Sequence, residues 1–310
     1  MRDLIKPEWI RVKYRHDATI EAIKKDTKEK GLATVCQEAL CPNIWECWSS
    51  GTATFMLMGD TCTRGCAFCH VKTARVPGKL DPLEHEKLLE SIRRMKLTYV
   101  VLTSVDRDDL PDQGAEHLAH CIAHLKKNLP ELRIEILIPD FRGDLSLVKK
   151  IVDAGPDVLA HNIETIERLT PKVRDRRAGY RQSLAVLKGI KEMAPAIHTK
   201  SGIMAGFGEK KEEVEKAMDD LRAAGVSFLT VGQYLRPSKD QLAVREYVDP
   251  ELFRHYERAG LLKGFHYVAS GPFVRSSYKA GELFIEALLK REERAKRLKN
   301  PSPFAEAVNA

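Results

Sequence analysis

Three cysteines, Cys62, Cys66 and Cys69, lie on one short turn that follows an apolar run. Three thiolates cannot close a four-coordinate structural zinc site, but they can hold three irons of a cubic iron–sulfur cluster. The fourth iron then has no protein ligand and is open to a substrate or cofactor, as in catalytic metal sites. The spacing therefore predicts a catalytic iron–sulfur centre.

Two other interpretations explain these cysteines less well. The C-x-x-C-H pattern of haem attachment fits Cys66 to His70. Such attachment normally follows export, and we expect no signal peptide because the N-terminus lacks an apolar core. It would also leave Cys62 without a role. Three unrelated buried thiols would be a rare coincidence in so short a stretch beside Gly59 and Gly65.

A second set of three cysteines, Cys36, Cys41 and Cys47, precedes the first. Its members are separated by four and five residues, whereas zinc ribbons and knuckles normally use two to four, so zinc fits poorly. The alternative, a small structural metal knuckle, needs a fourth ligand that the local sequence lacks. Six of the seven cysteines fall between Cys36 and Cys69, which favours reduced metal ligands over disulfides.

The stretch from Cys62 to Cys69 resembles the cluster loop of the radical S-adenosylmethionine enzymes. Their pattern is Cys, three residues, Cys, any residue, an aromatic residue and Cys, and Phe68 takes the aromatic place. The resemblance implies that the amino and carboxylate groups of S-adenosylmethionine chelate the open iron. It also implies that an electron from the cluster cleaves this cofactor to a 5′-deoxyadenosyl radical, which abstracts hydrogen from unactivated carbon.

The two cysteine sets together resemble those of the lipoyl synthases. The resemblance extends over residues 35–69, 99–110, 139–143, 161–164, 199–209 and 268–278. It implies that Cys36, Cys41 and Cys47 bind an auxiliary [4Fe-4S] cluster that is consumed as the sulfur source. The sequence alone shows a polar loop at 275–278, but the resemblance implies that Ser277 is the fourth ligand of that cluster. An alkoxide is easier to lose than a thiolate, which suits a cluster that must be taken apart.

The resemblance implies an enzyme that inserts two sulfur atoms, at the sixth and eighth carbons of a protein-bound octanoyl-lysine, to form the lipoyl group. The implied cofactors are two [4Fe-4S] clusters and S-adenosylmethionine. The implied partners are an octanoylated lipoyl carrier domain (of a 2-oxoacid dehydrogenase E2 component or the glycine cleavage H protein), an electron donor such as ferredoxin or flavodoxin, and an iron–sulfur carrier. The implied catalytic residues are Cys62, Cys66, Cys69 and Ser277.

Two other functions remain open at this point. A methylthiotransferase also pairs two three-cysteine sets, but it should carry a separate N-terminal domain and a C-terminal RNA-binding barrel. Only about 35 residues precede Cys36, and no β-rich extension follows the last cysteine-associated motif. A two-cluster electron-transfer protein would not need the long alternation of strands and helices described next.

Apolar runs of strand length alternate with helical periodicity from residue 52 onward. The predicted strands are 52–59, 97–105, 133–139, 157–163, 197–204, 226–235 and 265–269. The predicted helices are 83–95, 115–128, 145–154, 182–194, 211–224 and 250–262. Strands that alternate with helices pair in parallel through right-handed crossovers, in a barrel or a doubly wound sheet. Candidate site residues at the ends of several strands favour the barrel.

The predicted fold class is therefore α/β. The resemblance implies a partial (β/α)6 TIM-like barrel, with the cluster loop after its first strand and terminal extensions that carry the auxiliary cluster. We expect three segments: an N-terminal extension at 1–51, the barrel at 52–278, and a C-terminal helix and tail at 279–310. Within the first segment, helix formers at 19–30 and Gly31 predict a helix that ends there.

Polar residues follow several predicted strands, where a barrel places its active site. Asn162 and Glu164 share a face by strand alternation, and they could bond ribose hydroxyls and the cofactor ammonium. A salt-bridged glutamate inside the barrel is the alternative. Ser104 and Asp106 are further candidates that could instead serve a turn, and Lys200 could be a surface lysine. The predicted cofactor contacts are Phe68, Ser104, Asn162, Glu164, Lys200 and Gln233.

The composition suits a sizeable core in one or two domains. The chain has 310 residues, 43% of them hydrophobic, and no run near the roughly 20 apolar residues of a membrane span. We therefore expect a cytoplasmic protein. The net charge of +7 suits an acidic protein partner or an anionic small molecule, and we see no aromatic-interleaved basic patch that predicts nucleic-acid binding. Cys121 lies on an apolar helical face and is predicted to be a core thiol.

Overall fold

The computed structural model describes residues 4–10, 18–41, 43–49 and 54–281. The chain divides into two compact units, Met1–Tyr278 and Lys279–Ala310. The helix predicted from residue 279 to about 299 falls almost wholly outside the described residues. The three-segment division of the chain stays a prediction.

Ten strands are described, in two sheets. They are β1 (Ala33–Thr34), β2 (Thr54–Leu57), β3 (Thr61–Cys62), β4 (Lys72–Thr73), β5 (Tyr99–Ser104), β6 (Arg133–Leu137), β7 (Val158–Ala160), β8 (His198–Ala205), β9 (Phe228–Gln233) and β10 (Tyr267–Gly271). The main sheet has the order β1-β2-β5-β6-β7-β8-β9-β10, in which β1 pairs antiparallel with β2 and every other neighbouring pair is parallel. β3 and β4 form a separate parallel ladder. The predicted α/β fold with parallel pairing is confirmed, as an open sheet among the described strands.

The helices connect these strands. They are α1 (Ala18–Lys30), α2 (Val35–Glu38), α3 (Ile44–Ser49), α4 (Glu84–Met95), α5 (Ala115–Asn128), α6 (Leu145–Asp153), α7 (Thr170–Val173), α8 (Tyr180–Met193), α9 (Lys211–Ala223) and α10 (Pro250–Leu262), with a 3₁₀ turn at Phe141–Gly143. The six crossover helices begin and end within two residues of their predicted bounds. Side-chain caps fix some starts: Asp144 accepts from the Ser146 amide at 2.9 Å, and Asp249 accepts from the Glu251 amide at 2.7 Å.

β7 is shorter than the strand predicted at 157–163. Its ladder ends at Ala160, and Glu164 rejoins the sheet only through a single bridge to Ile203. Glu164 has a φ of 64°, a left-handed conformation that a non-glycine residue holds only under constraint from its surroundings. The chain therefore leaves the ladder at 161–163, at the edge where the parallel strands end.

Two apolar clusters fill the space between the sheet and its helices. One packs α4, α5 and α6 against β2, β5 and β6, and the other packs α9 and α10 against β8 and β9. Cys121 is fully buried in the first cluster with Leu118, Ile122 and Leu125, so its prediction as a core thiol is confirmed. Rigid packing on this side leaves the strand ends free to carry chemistry.

Candidate active site

The three cysteines of the predicted catalytic set line one cavity at the carboxyl ends of the strands. Cys62 ends β3, and Cys66 and Cys69 follow on the turn before β4. Ser104, at the end of β5, and Asn162, after β7, line the same cavity. We call it the strand-end cavity. Three sulfur donors therefore face polar side chains from separate strands.

Backbone amides hold the thiol groups in place. The amides of Arg64 and Asp106 donate to Cys62 Sγ at 3.4 and 3.3 Å, and the amide of Asp175 donates to Cys66 Sγ at 3.3 Å. Burial raises the pKa of the Cys62 and Cys66 thiols to about 12, so a bound metal has to displace their protons. Amide donors to ligating sulfur also tune the reduction potential of a cluster.

A buried ion network around Arg64 fixes the turn that carries these cysteines. Its guanidinium donates to Asp108 through Nε and Nη2, at 2.8 and 3.0 Å, and to Asp140 through Nη1 at 2.7 Å. Burial alone would raise the pKa of Asp108 and Asp140, but the charge and hydrogen bonds of Arg64 bring both below the usual range. Arg64 therefore ties the segment between the first two cysteines to the loops that follow β5 and β6.

Two polar atoms in the strand-end cavity, Ser104 Oγ and Asn162 Oδ1, are buried with no hydrogen-bond partner among the described residues. Buried polar atoms are nearly always paired, so these two favour a polar ligand. Gly202 keeps the adjacent space open, since a Cβ there would lie 2.9 Å from both Asn162 Oδ1 and Thr230 Oγ1. These features fit a small polar cofactor beside the three thiols.

Glu164 and Asn162 face the same space, as strand alternation predicts. Both line the strand-end cavity, and Phe68 lines it with them. Burial raises the pKa of Glu164, while the charge of Arg174 and a hydrogen bond from Asn162 oppose that shift. The alternative of a charge-paired glutamate also keeps support, because the charge of Arg174 acts on Glu164.

A second cavity continues from the first toward the loop that follows β10. Cys69, Asn162 and Glu164 line both cavities, and the second also contacts Arg275 and Ser276. We call it the connecting cavity. Its far end reaches the segment for which the auxiliary ligand is predicted.

The second cysteine set meets that segment around a small pocket, which we call the auxiliary pocket. Cys36, Cys41, Cys47 and Ser277 all line it, together with Arg275. Burial raises the pKa of Cys41 to about 11, with a further contribution from neighbouring Cys36. Three sulfurs and one hydroxyl oxygen supply four donors, which fits the four irons of a cubic cluster. The ligand roles of these residues stay predictions.

Hydrogen bonds between distant parts of the chain close the auxiliary pocket. Asn43 Nδ2 donates to the Phe273 carbonyl at 2.5 Å, and the Tyr278 hydroxyl donates to Glu46 at 3.1 Å. Arg275 is half-buried, and desolvation lowers its pKa, although Cys41 opposes the shift. A cation held beside buried thiols stabilises their ionised form.

Two predicted cofactor contacts, Lys200 and Gln233, have their polar groups engaged by other parts of the protein, although Gln233 also lines the connecting cavity, and their contact with the cofactor stays a prediction. Lys200 is buried near the amino end of β8, where Nζ bonds to Glu135 at 2.7 Å, so it is not a surface lysine either. Gln233 is fully buried, and its amide is engaged by the loop that follows β9. Nε2 donates to the Glu246 carbonyl at 2.9 Å, and Oε1 accepts from the Val248 amide at 2.8 Å.

Sequence reasoning assigned no role to Arg64, Asp108 or Asp140, which the structure brings together beside the cysteine turn. Some signal was available. Arg64 lies between two candidate metal ligands, and Asp108 belongs to the acidic run at 106–109. Neither observation indicates that the partners meet, because they belong to different loops of the barrel.

Comparisons with known proteins identify the family of this chain. The model of the radical SAM superfamily matches residues 56–221. The mitochondrial lipoyl synthase of Aedes aegypti is 56% identical over 299 residues, which cover 94% of this chain and 76% of that protein. The lipoyl synthase of Anaeromyxobacter sp. (strain Fw109-5) is 56% identical over 284 residues, covering 92% and 96%.

Among solved structures, the FeFe-hydrogenase maturase HydG from Carboxydothermus hydrogenoformans matches with a TM-score of 0.55 at 13% identity. The match covers 80% of this chain and 64% of that one, and it shows a shared fold.

The expectation of a cytoplasmic protein is contradicted by these comparisons. The Aedes aegypti and Culex quinquefasciatus relatives, at 56% and 55% identity, are both named as mitochondrial. The absence of long apolar segments does not distinguish a cytoplasmic from a mitochondrial protein. None of the helices in the described part of the chain is both long and apolar enough to cross a membrane.

Proposed function

Because this chain belongs to the lipoyl synthases, a family of the radical S-adenosylmethionine superfamily, we propose that it completes the lipoyl group on a carrier protein. The reaction inserts one sulfur atom at each of the sixth and eighth carbons of an octanoyl-lysine. The observation that carries this proposal is the connecting cavity. One end is lined by Cys69 of the catalytic set, and the other by Arg275, which also lines the auxiliary pocket.

The family implies a [4Fe-4S] cluster and S-adenosylmethionine. When bound, they supply a radical that removes hydrogen from unactivated carbon. Cys62, Cys66 and Cys69 would hold the cluster, which leaves one coordination position open for the cofactor. Ser104 and Asn162 would pair their unsatisfied oxygens with it, Asn162 Oδ1 as an acceptor and the Ser104 hydroxyl in either role.

The substrate chain would lie in the connecting cavity. Val35, Val71 and Leu137 line both this cavity and the strand-end cavity. An apolar wall between the two cysteine sets suits a saturated acyl chain, which gains by leaving water. It would also hold the reacting carbons between the site of hydrogen removal and the sulfur source, and exclude water from the radical.

The auxiliary pocket would hold the second cluster, from which sulfur is taken. Cys36, Cys41 and Cys47 would bind three irons, and Ser277 the fourth. Arg275, which lines the same pocket, would offset the negative charge of the thiolates. An oxygen ligand is a harder donor than thiolate and is released more easily, which suits a cluster that is dismantled.

Lipoyl synthases act on lipoyl carrier proteins. For this chain we propose the octanoylated lysine of a 2-oxoacid dehydrogenase E2 component or of the glycine cleavage H protein. The net charge of +7 would favour encounter with an acidic carrier domain. A ferredoxin or flavodoxin would supply electrons, and an iron–sulfur carrier would restore the auxiliary cluster.

The test is anaerobic incubation of the reconstituted protein with an octanoyl-lysine peptide, S-adenosylmethionine and a strong reductant, followed by mass spectrometry. The expected product is heavier by two sulfurs less two hydrogens. If 5′-deoxyadenosine forms while the peptide stays unchanged, the substrate assignment is wrong.

Two adjacent serines provide a matched pair for the auxiliary site, since Ser277 lines the auxiliary pocket whereas Ser276 lines the connecting cavity. Ser277→Ala should lower the iron content and the sulfur yield while cofactor cleavage survives. Ser276→Ala should keep the full iron content. Equal sulfur yields from Ser277→Ala and the unchanged protein would refute the ligand role of Ser277.

A further inference from the structure

Four of the ten histidines of the chain lie on two adjacent helices, α4 and α5. They are His85, His117, His120 and His124. These residues line neither the strand-end cavity, the connecting cavity nor the auxiliary pocket. The proposed function does not use them, so their grouping needs another explanation.

Hydrogen bonding explains one of the four. His117 Nε2 lies 2.6 Å from Glu84 Oε2. Both carboxylate oxygens of Glu84 also accept from the Met58 amide, at 3.0 and 3.1 Å. Glu84 is buried, so this group anchors α4 and α5 to the end of β2. Glu84, His117 and Cys121 lie close enough together to hold a metal ion. The Glu84 carboxylate, however, is already engaged by His117 and by the Met58 amide.

A separate group forms where the two helices meet the surface. One donor atom from each of His85, Glu86 and His124 lies within 4.8 Å of the other two. The carboxylate of Glu86 lies 3.7 Å from His85 Nε2 and 3.5 Å from His124 Nε2. Donors at ~2.05 Å from a tetrahedral zinc ion lie about 3.4 Å apart. The carboxylate therefore needs little movement to share an ion with either imidazole.

The surroundings of these side chains favour a bound ion over a simple ion pair. His85 and His124 have only 17% of their side chains exposed, so little rotamer freedom is lost on binding. His120 precedes His124 by one helical turn, and its ring centroid lies 4.4 Å from that of His85. Asn128 Nδ2 approaches His124 Nε2 at 3.4 Å, but it makes the shorter bond, 2.9 Å, to the His124 carbonyl.

We propose that His85, Glu86 and His124 bind a divalent zinc-like ion that bridges α4 and α5. Two imidazoles and a carboxylate are typical zinc donors, whereas magnesium and calcium prefer sets made of oxygen alone. Glu86 is 51% exposed, so water reaches the site and can fill the fourth position. The ion would join two helices of the outer layer and stabilise the folded chain in proportion to its occupancy.

The experiment uses the holoprotein with its clusters loaded, kept anaerobic, and Zn²⁺ as the probe. Zinc is titrated against a chromophoric chelator, and iron is counted before and after so that cluster loss is excluded. The test variant is His85→Ala/His124→Ala. The matched control is His255→Ala, which removes a histidine that pairs with Glu215 at 2.6 Å outside any three-ligand group found in the described residues.

We expect one zinc ion per chain in the unchanged protein and in the control, with a zinc-dependent rise in melting temperature. The double variant should bind zinc at least about tenfold more weakly, since even residues behind a metal ligand contribute 10- to 100-fold. Equal zinc affinity in the double variant and the unchanged protein overturns the proposal. Crystals of the unchanged protein soaked in zinc give an independent answer, because absence of an anomalous peak between α4 and α5 at the zinc edge also overturns it.

Discussion

Replacement of Arg64 by methionine is the sharpest test of how the cysteine turn is held. The guanidinium is 3% exposed and lies among three carboxylates: 3.3 Å from Asp106, 2.8 Å from Asp108 and 2.7 Å from Asp140. Methionine fills much of the same space without the charge. The change therefore leaves buried carboxylates without their common partner.

The size of the effect follows from what each carboxylate keeps. Asp108 retains a bond from Arg142 Nε at 2.8 Å, so its loss is partial. Asp140 keeps only the Arg142 amide on Oδ1, and its Oδ2 already has no partner among the described residues. A buried carboxylate left unpaired costs about 3–5 kcal/mol. Without the Arg64 charge, burial would raise the pKa of Asp140, and its protonation would limit the cost.

Melting temperature under anaerobic conditions measures this cost. With about 2.1 cal/mol/K of unfolding entropy per residue over the 310 residues, 3–5 kcal/mol corresponds to a fall of about 5–8 °C. Arg168→Met is the control. Arg168 makes an equally close pair with Glu213, at 2.7 Å, but is 52% exposed. Exposed pairs contribute about 0–1 kcal/mol, so the control should melt within about 2 °C of the unchanged protein.

The double variant Arg64→Met/Asp140→Asn tests the cause of the loss. If an unpaired carboxylate at Asp140 dominates, neutralising it should recover part of the lost stability. A melting temperature of Arg64→Met equal to that of the control, or simple additivity of the two single changes, would contradict a dominant unpaired charge at Asp140.

Three further outcomes follow from single contacts. Gly202→Ala brings a Cβ to 2.9 Å from the Asn162 and Thr230 side chains. The KM for S-adenosylmethionine in 5′-deoxyadenosine formation should therefore rise about 10- to 100-fold. An unchanged KM contradicts the proposed cofactor position. Burial lowers the pKa of His161 to about 4, so the unfolded chain binds this proton more readily than the folded chain. The free energy of unfolding is therefore unaffected by His161 well above pH 6.5 and falls as the pH drops toward 4, by about 2 kcal/mol at pH 5. His161→Gln should therefore melt with a weaker dependence on pH between 7.5 and 5, and equal slopes would count against this. Gln233→Glu removes the amide donors that hold the loop after β9, so hydrogen exchange in that loop should accelerate. Unchanged protection would contradict a role of these hydrogen bonds in holding the loop.

The elements of the barrel could be predicted because their signals are local. Strand and helix periodicities are written in a few consecutive residues, which is why the bounds of α5 and α10 agree with the predictions. Asn162 and Glu164 were placed on one face for the same reason. β7 ends at Ala160, earlier than predicted, and the chain beyond it carries polar residues and reaches a left-handed backbone at Glu164.

Residue roles that depend on distant partners could not be predicted. Lys200 looks available in the sequence, since nothing near it indicates that Glu135, 65 residues earlier, neutralises it. Gln233 at a strand end resembles a ligand residue, yet its amide binds a loop 13 to 15 residues later. Ser277 carries no chemical signal of its own, and only the resemblance to a family singled it out.

The auxiliary pocket joins segments of the chain that the ribosome makes far apart in time. Its closing hydrogen bonds span 230 residues between Asn43 and Phe273 and 232 between Glu46 and Tyr278. At about 5–20 residues per second, the thiols of the second cysteine set wait on the order of 10 to 50 s for Ser277 to be synthesised. On the proposed assignment, they are during that interval three ligands without a fourth, exposed to oxidation or to the wrong metal. If the auxiliary pocket holds a cluster as proposed, its delivery belongs after synthesis of the sheet, and the last-made strand and its loop decide when the pocket can first be loaded.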